Sequence, residues 1–367
     1  MDEPIRILQM IGSLNIGGSQ SMIVNLYNRI DRDKIQFDFV LDHQDELYYK
    51  DTVEQLGAKI FEMPTFCGSN VREVKRTWKE FFETHSEYKI LHSHVRSYAS
   101  LYIPIAKKHG LKTIIHSHST SNGQGISAFV KRAMQYPLRF QADYFMGCSK
   151  EAGEWLFGRR VVNSKKYFML QNAIDVEKYR FDPKTRAEYR AELGLRDELT
   201  FIHVGRFHPA KNHFFLINLF AEIHRKNNNT KLILVGDGEL RSEIEQQIKE
   251  LDLNAAVVLT GNRSDVPNLL QVADCFLFPS KWEGLPVTVV EAQASGLPCL
   301  ISDCITKDVN VSDLVQNLAI NSGLENWLQA IDAIDYSRKD VHDQIEKAGF
   351  DIKSTATWLQ NFYQGLL

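Results

Sequence analysis

The sequence predicts an α/β protein made of two doubly wound domains. Short apolar runs alternate with amphipathic stretches in both halves of the chain, a pattern typical of parallel sheets covered by helices. A chain of 367 residues is also longer than one ordinary hydrophobic core requires. Because open parallel sheets bind ligands at the carboxyl ends of their strands, functional residues are expected in the loops that follow the apolar runs.

Composition and charge argue against several classes of protein. A formal net charge of -3 and 24% charged residues give no sign of a nucleic-acid-binding surface. The acidic N-terminal stretch does not resemble a signal peptide, and no run approaches the roughly 18 apolar residues of a membrane span. We therefore expect a cytoplasmic protein. We predict buried free thiols, because the cysteines include no Cys-x-x-Cys pair and mostly lie in apolar surroundings; they are Cys67, Cys148, Cys275, Cys299 and Cys304.

The first strand is predicted over residues 5–11, before a loop that contains Gly17 and Gly18. Ser19 is expected to cap the following helix, in which apolar residues recur at helical spacing from Met22 to Ile30. The loop lacks the G-x-G-x-x-G fingerprint, which disfavours an NAD-dependent dehydrogenase. By itself, such a loop fits either a tight turn or a ligand contact.

Histidines mark the ends of two strands in the first half. Strands are predicted over residues 37–41, 58–62, 89–92, 112–116 and 144–148. His92-Ser93-His94 and His116-Ser117-His118 each place two imidazoles on one strand face. A metal site is one interpretation of this pattern. Because no carboxylate or cysteine accompanies the histidines, we predict no metal.

A charged connector separates the two halves, and we predict domains over residues 1–168 and 169–350. The second half contains predicted strands over residues 200–204, 231–235 and 257–259, with helices between them. Residues 351–367 carry apolar side chains at helical spacing, so the chain should end in a helix.

The stretch from Pro279 to Pro298 concentrates the residues suited to ligand binding. Cys275–Phe278 is a predicted strand, and a helix is expected from Pro286, in its first turn, to Ser295. The helix start would offer unpaired N–H groups to an anion. Glu283 precedes the helix and Glu291 lies about one and a half turns inside it, so they should hold different parts of an extended ligand.

The sequence PSKWEGLPVTVVEAQASGLP, with seven residues between its first and last glutamates, resembles the E-x7-E signature of glycosyltransferase family four. Leu170–Asp175 is similar to the family's N-G-(I/V)-D turn, although Ala173 replaces its glycine. Residues 204–212 match a "vGR…K(G/N)" segment. The resemblance implies the GT-B fold, in which two Rossmann-like domains face a cleft and the last helix returns to the first domain.

The resemblance also assigns roles to individual residues. Arg206 and Lys211 would neutralise the donor diphosphate, and Glu283 would hold sugar hydroxyls. Glu291 would bind the ribose. His118, or alternatively His116, would approach the sugar or the acceptor. The remaining expected substrate-binding positions are Gly17, Gly18, Asn172, Gly261, Asn262, Arg263, Leu285, Pro286 and Val287.

The implied reaction is retaining transfer of a hexose from a nucleotide-diphosphate sugar, with UDP favoured, to a glycan or polyprenyl-linked saccharide of a surface polysaccharide or capsule. No Asp-x-Asp metal motif accompanies the residues that carry the resemblance, so neither a metal nor another cofactor is expected. The basic, aromatic stretch from Phe129 to Phe140 fits an amphipathic helix with a solvated face, or contact with the anionic inner membrane leaflet. A nucleotide-sugar epimerase of the same fold and a non-catalytic sugar-nucleotide-binding subunit are the alternatives.

Overall fold

A computed structural model describes residues 3–15, 17–43, 47–119, 126–321 and 323–367, except for the side chains of residues 126 and 127. The chain divides into two compact units. The first comprises Met1–Ala173 with Ile352–Leu367, and the second comprises Ile174–Asp351. This division falls a few residues beyond the boundary placed on sequence grounds.

The first unit contains a parallel sheet flanked by helices. Its strands are β1 (Ile5–Gly12), β2 (Ile35–Leu41), β3 (Ile60–Glu62), β4 (Ile90–Ser93), β5 (Lys112–Ser117), β6 (Tyr144–Gly147) and β7 (Tyr167–Met169). Their order in the sheet is β3-β2-β1-β4-β5-β6-β7. The helices are α1 (Gly18–Arg29), α2 (Lys50–Gln55), α3 (Val71–Thr84), α4 (Ile103–Lys108), α5 (Ile126–Gln135), α6 (Leu138–Gln141), α7 (Lys150–Phe157), α8 (Arg159–Val162) and, from the end of the chain, α17 (Ile352–Gln364).

Successive side chains of β1 point to opposite faces of this sheet and join a different core on each face. Ile7 and Ile11 belong to a core that also contains α1 and α17, whereas Leu8 and Met10 belong to a core on the opposite side with α3 and α4. Gln9 is buried on the same face as Ile7, so a polar side chain interrupts an otherwise apolar layer beneath α17.

The second unit repeats this architecture. Its strands are β8 (Leu199–Val204), β9 (Thr230–Val235), β10 (Val257–Gly261), β11 (Cys275–Phe278), β12 (Cys299–Ser302) and β13 (Val315–Leu318). The helices are α9 (Val176–Tyr179), α10 (Pro183–Glu192), α11 (His213–Lys226), α12 (Arg241–Glu250), α13 (Val266–Val272), α14 (Val287–Ala294), α15 (Glu325–Ala333) and α16 (His342–Lys347). The parallel strands run in the order β10-β9-β8-β11-β12-β13.

Each sheet reverses its strand order at one position. The chain moves outward from β1 to β3 and from β8 to β10, and it then crosses to the other side of β1 and of β8. The reversal leaves a crevice between the carboxyl ends of β1 and β4 and another between those of β8 and β11. Such crevices are where doubly wound sheets bind ligands.

The predicted strands are all present, with ends shifted by at most two residues. The sequence did not predict β7, β12 or β13, which have three or four residues each and carry too little periodicity to be recognised. Among the described residues, no helix combines the length and apolar character needed to cross a bilayer.

Three local predictions were wrong. Ser19 lies inside α1, because Gly17 with its extended backbone occupies the capping position and makes no side-chain cap bond. Pro286 has ψ of 90°, which is not helical, so it precedes α14 instead of occupying its first turn. Cys67 and Cys304 are exposed because both lie in polar loops, whereas the other three cysteines are buried.

Replacing Leu359 with Ala should destabilise the first unit by about 2–5 kcal/mol, because the buried side chain joins α17 to the core beneath β1. Thermal and urea unfolding would measure the change. Asn361→Ala provides the control, since this side chain is exposed on the same helix. Equal stabilities of the two variants would show that α17 contributes little to the core.

Candidate active site

The loops that follow β8 and β11 form one wall of the crevice in the second unit. The Lys281 N–H donates to the Ala210 carbonyl at 2.7 Å, and the Asn212 side-chain amide donates to the Pro279 carbonyl at 3.1 Å. Asn212 has a left-handed backbone with φ of 57°, a conformation that asparagine adopts more readily than most residues. These contacts hold the two loops side by side.

Lys211 and Glu283 meet at the centre of these loops. The Lys211 Nζ lies 2.7 Å from the Glu283 Oε1, and their side chains are only 17% and 15% exposed. The same Nζ lies 4.6 Å from the centroid of the Phe278 ring, on which the lysine also packs. Two residues singled out in the sequence are therefore held as a largely buried ion pair.

Arg206 is arranged differently from Lys211. Its side chain is 71% exposed and pairs with Glu239, which is also solvent-accessible, at 3.2 Å. A pair of this kind holds a side chain weakly, because water screens the charges and both chains lose rotamer freedom. The description of a fixed cation therefore fits Lys211 and not Arg206.

The start of α14 lies beside this ion pair in sequence and adds hydrogen-bonding groups. Leu285 and Val287 are partly buried against the core, which anchors the first turn, where the helix leaves its N–H groups unpaired. The hydroxyls of Ser280 and Thr288 are buried and make no hydrogen bond among the described residues. A beta carbon on Gly284 would meet open space. Donors at this position suit an anionic ligand.

Glu291 is held by a hydrogen bond from a tyrosine. The Tyr179 hydroxyl donates to its Oε1 at 2.7 Å. Burial raises the pKa of the Glu291 carboxyl, and the hydrogen bond from Tyr179 opposes that rise. Nothing in the motif predicted Tyr179, since it lies 112 residues away in the chain.

The loop after β10 carries the expected base-binding positions. Gly261 has φ of +68°, and its carbonyl accepts from the Gly236 N–H at 2.9 Å. Asn262 is exposed. The guanidinium of Arg263 forms two hydrogen bonds to Asp265, at 2.7 and 2.6 Å, so this side chain is already engaged.

Two glycines that follow β9 allow close packing against the loop after β8. A beta carbon on Gly236 would lie 2.2 Å from the Gly205 carbonyl oxygen, and one on Gly238 would lie 2.5 Å from that of Phe207. Any other residue would push the loop after β8 away, so both glycines support the position of Lys211 indirectly.

Gly17, Gly18 and Asn172 lie together in the first unit. A beta carbon on Gly18 would approach the Asn172 Nδ2 to 3.8 Å. The Asn172 Oδ1 is buried and unpartnered among the described atoms. Gly17 precedes α1 with an extended backbone, which any residue can adopt. The unpartnered Asn172 Oδ1 beside this helix start is consistent with a ligand contact.

The four histidines form one stacked group at the ends of β4 and β5. Neighbouring rings lie 4.0 to 5.5 Å apart between centroids. His116 is fully buried, whereas His118 retains some exposure and lies next to Ser119 at the end of the described segment. Burial, aided by Arg96, lowers the pKa of His118 to about 3, so its ring is neutral at physiological pH.

Three of these histidines have metal-ligand spacing. One nitrogen each from His92, His94 and His116 lies within 4.8 Å of the others. The metal interpretation therefore has more geometric support than the sequence indicated. However, both nitrogens of His94 already form hydrogen bonds, to His118 and to Gln9.

Comparison with known proteins identifies the family. The family model described as Glycosyltransferase Family 4 matches residues 16–178, and that described as Glycosyl transferases group 1 matches residues 185–348. The putative glycosyltransferase EpsF of Bacillus subtilis (strain 168) is 31% identical over 368 residues, covering 98% of this chain and 96% of EpsF. The chain belongs to glycosyltransferase family four.

Further comparisons extend over most of this glycosyltransferase. The Escherichia coli UDP-Gal:alpha-D-GlcNAc-diphosphoundecaprenol alpha-1,3-galactosyltransferase is 26% identical over 330 residues, 84% of each chain. The crystal structure of Anabaena Alr3699/HepE in complex with UDP has a TM-score of 0.80 at 17% identity, covering 98% of this chain and 100% of HepE. This structural similarity confirms the predicted GT-B fold of the glycosyltransferase.

The carboxyl of Glu291 should reduce the stability of the glycosyltransferase at neutral pH. A folded pKa above the ordinary value of 4.5 means that ionised Glu291 opposes folding above the folded pKa, with no effect below about 4.5. Glu291→Gln should therefore raise the melting temperature at pH 7–8, and the gain should vanish as the pH falls towards 4.5. Differential scanning calorimetry would measure this, with exposed Glu243→Gln as the control. A pH-independent difference would contradict the assignment.

Proposed function

We propose that this glycosyltransferase is a retaining, metal-independent hexosyltransferase that uses a UDP-sugar and a polyprenyl-linked saccharide acceptor in surface-polysaccharide biosynthesis. The observation that carries the proposal is the Lys211–Glu283 pair in the crevice between β8 and β11. The UDP donor and the lipid-linked acceptor are supported by the activity for which the Escherichia coli relative is named and by the UDP bound to HepE.

Charge on the leaving diphosphate is the main chemical demand in this reaction. Lys211 would neutralise that charge as a point cation, and the N–H groups at the start of α14 would add dipoles. Arg206 would join them after leaving Glu239. Glu283, already fixed by Lys211, would accept hydrogen bonds from sugar hydroxyls, and Glu291 would accept them from the ribose. Fixed protein charges of this kind would replace a divalent cation.

Within the proposed retaining course, the state of the two carboxylates argues against a covalent enzyme intermediate. Glu283 is paired with Lys211, and Glu291 accepts from Tyr179. Neither is a free nucleophile in the described part of this crevice. Attack by the acceptor on the same face that the diphosphate leaves, with a phosphate oxygen taking the hydroxyl proton, would retain the configuration without a covalent enzyme intermediate.

A cavity in the first unit suits the acceptor. It has a volume of about 520 Å³ and includes Gly12 at the end of β1, together with Asp42 and Arg96 after β2 and β4. Lys131 from α5 contributes a second cation, and the buried carboxylate of Asp42 accepts from His43 at 2.7 Å. Cations beside a carboxylate suit an acceptor that carries both phosphate groups and sugar hydroxyls.

The helices beside this cavity suit an anionic membrane surface. Phe129 and Phe140, on α5 and α6, are 75% and 71% exposed, and Tyr136 between them is also exposed. Basic Lys131 and Arg132 lie on the same segment. Exposed aromatic side chains interleaved with cations are the features by which amphipathic helices bind anionic leaflets. Because Lys131 also lines the cavity, membrane contact would bring a lipid-linked acceptor to it.

The decisive assay combines UDP-sugars with polyprenyl-diphosphate-linked saccharides, with and without EDTA. Acceptor-dependent UDP release and an α-configured product from an α-linked donor would support the proposal. Release of an epimerised sugar without acceptor would indicate an epimerase. Binding without turnover would indicate a non-catalytic subunit. Activity lost in EDTA and restored by Mg²⁺ or Mn²⁺ would contradict the metal-free mechanism.

Lys211→Ala should lower kcat by about 10²-fold, the scale of removing one donor that stabilises a developing anion. Affinity for UDP should fall more than affinity for uridine, which lacks phosphates. Lys281→Ala is the matched control, because this exposed lysine lies on the facing loop. Arg206→Ala should have a smaller effect than Lys211→Ala, since its side chain must first be ordered. Calorimetric titration and initial rates would measure both, and equal weakening of UDP and uridine would contradict the donor site.

Replacing Phe129 and Phe140 together with Glu should abolish sedimentation with vesicles that contain anionic phospholipid. Transfer to a water-soluble acceptor analogue should persist, because neither residue lines the cavity. Leu251→Glu, which changes an exposed apolar residue of the second unit, should leave vesicle binding intact. Vesicle binding by the double variant would show that this surface does not contact membranes.

A further inference from the structure

A continuous row of hydrogen bonds crosses the first unit beneath α17. His118 Nε2 lies 2.8 Å from His94 Nδ1, and His94 Nε2 lies 3.0 Å from Gln9 Oε1. The Gln9 side-chain N–H group donates to the Tyr363 hydroxyl at 3.2 Å, and that hydroxyl lies 2.6 Å from His92 Nδ1. We call these five side chains the histidine row. It joins three neighbouring strands of the sheet to the last helix.

The chemistry of the Gln9 amide gives the row a direction. Its oxygen can only accept, so His94 must donate to it from Nε2. Burial lowers the pKa of His94 well below its ordinary value, so this ring is neutral and carries a single proton. His94 Nδ1 is then an acceptor and receives the Nε2 proton of His118. The remaining His118 nitrogen, Nδ1, therefore carries a lone pair.

That lone pair has no partner among the described atoms, although His118 Nδ1 is buried from water. Leaving a buried acceptor unpaired is energetically costly, and a catalytic role is one recognised explanation for it. His118 lies at the carboxyl edge of the sheet, where doubly wound folds bind ligands.

We propose that Gln9 and His94 are positioning residues that hold His118 as its Nε2–H tautomer, so that Nδ1 accepts a hydrogen bond from a hydroxyl of the donor sugar or the acceptor. The inference rests on the proposed glycosyl transfer for the identity of that hydroxyl. His118 orients the hydroxyl and does not take its proton. A pKa of about 3, caused by burial and by Arg96, agrees with an acceptor that stays neutral.

A metal ion on the same histidines is the main competing interpretation. Ligation of His92, His94 and His116 would consume a lone pair of His94. The His94 nitrogen that binds the metal would then lose its hydrogen bond to Gln9 or to His118, and the histidine row would be interrupted. The two interpretations therefore exclude each other and predict different spectra.

The tautomer can be observed without any assay of activity. Two-bond ¹H–¹⁵N correlation spectra of ¹⁵N-histidine-labelled protein distinguish Nε2–H from Nδ1–H rings, and His118→Ala assigns the signal. We expect the Nε2–H form in the wild type and in His94→Gln, whose amide can still accept from His118 and donate to Gln9. His94→Phe should allow both tautomers. An Nδ1–H ring in the wild type, or a stoichiometric metal in the untagged protein, would overturn the proposal.

Kinetics then test whether the tautomer matters for transfer. His94→Phe keeps the stacked ring but should lower kcat about 10- to 100-fold with little change in donor KM, the scale of one buried hydrogen bond. His94→Gln should recover most of this loss, which a purely structural role of the ring does not predict. His116→Phe measures what ring packing alone contributes, because His116 packs 4.0 Å from His118 and makes no hydrogen bond to it among the described contacts.

Equal losses in His94→Phe and His116→Phe would show that ring packing is what matters, and this would overturn the proposal. Failure of the wild type to transfer sugar, with the Nε2–H tautomer present, would instead contradict the proposed function. The spectra and the rates therefore separate the two conclusions.

Discussion

The parallel arrangement of strands is the constraint on which the candidate sites depend. Because every strand of a sheet points the same way, all carboxyl ends and the loops that follow them lie along one edge. In the second unit the order reverses between β8 and β11, so the loops carrying Lys211 and Glu283 become neighbours although 72 residues separate them in the chain. The ion pair between them is a direct consequence of that topology.

The two units use this edge in chemically different ways. In the second unit it presents one largely buried lysine, a paired glutamate and the start of α14, a combination suited to an anion attached to a sugar. In the first unit it presents neutral histidines and a polar cavity with Arg96 and Lys131 at its rim. In the proposed reaction, the second unit would supply charge for the diphosphate, and the neutral histidines of the first unit would orient hydroxyls.

Buried polar groups in the first unit carry an energetic cost that an apolar layer would avoid. Gln9 lies between Ile7 and Ile11 on one face of β1, and His92 follows Ile90 on the same face of β4, where alternation alone predicts apolar side chains. Gln9 and His92 each form one of their hydrogen bonds with the Tyr363 hydroxyl. Those bonds require α17 to pack on this face. The packing of α17 therefore both stabilises the first unit and helps to orient the histidines near the sheet edge.

The sequence alone determined the alternation of strands and helices, the ends of the longer strands to within two residues, and the family through the motif from Glu283 to Glu291. These features are local, since they depend on periodicity and on residues close together in the chain. Only the tertiary structure decided that Glu283 pairs with Lys211 while Arg206 stays exposed with Glu239. It also decided that Gln9 meets Tyr363, 354 residues away. Contacts of this range follow from strand order and helix packing, which no local pattern encodes.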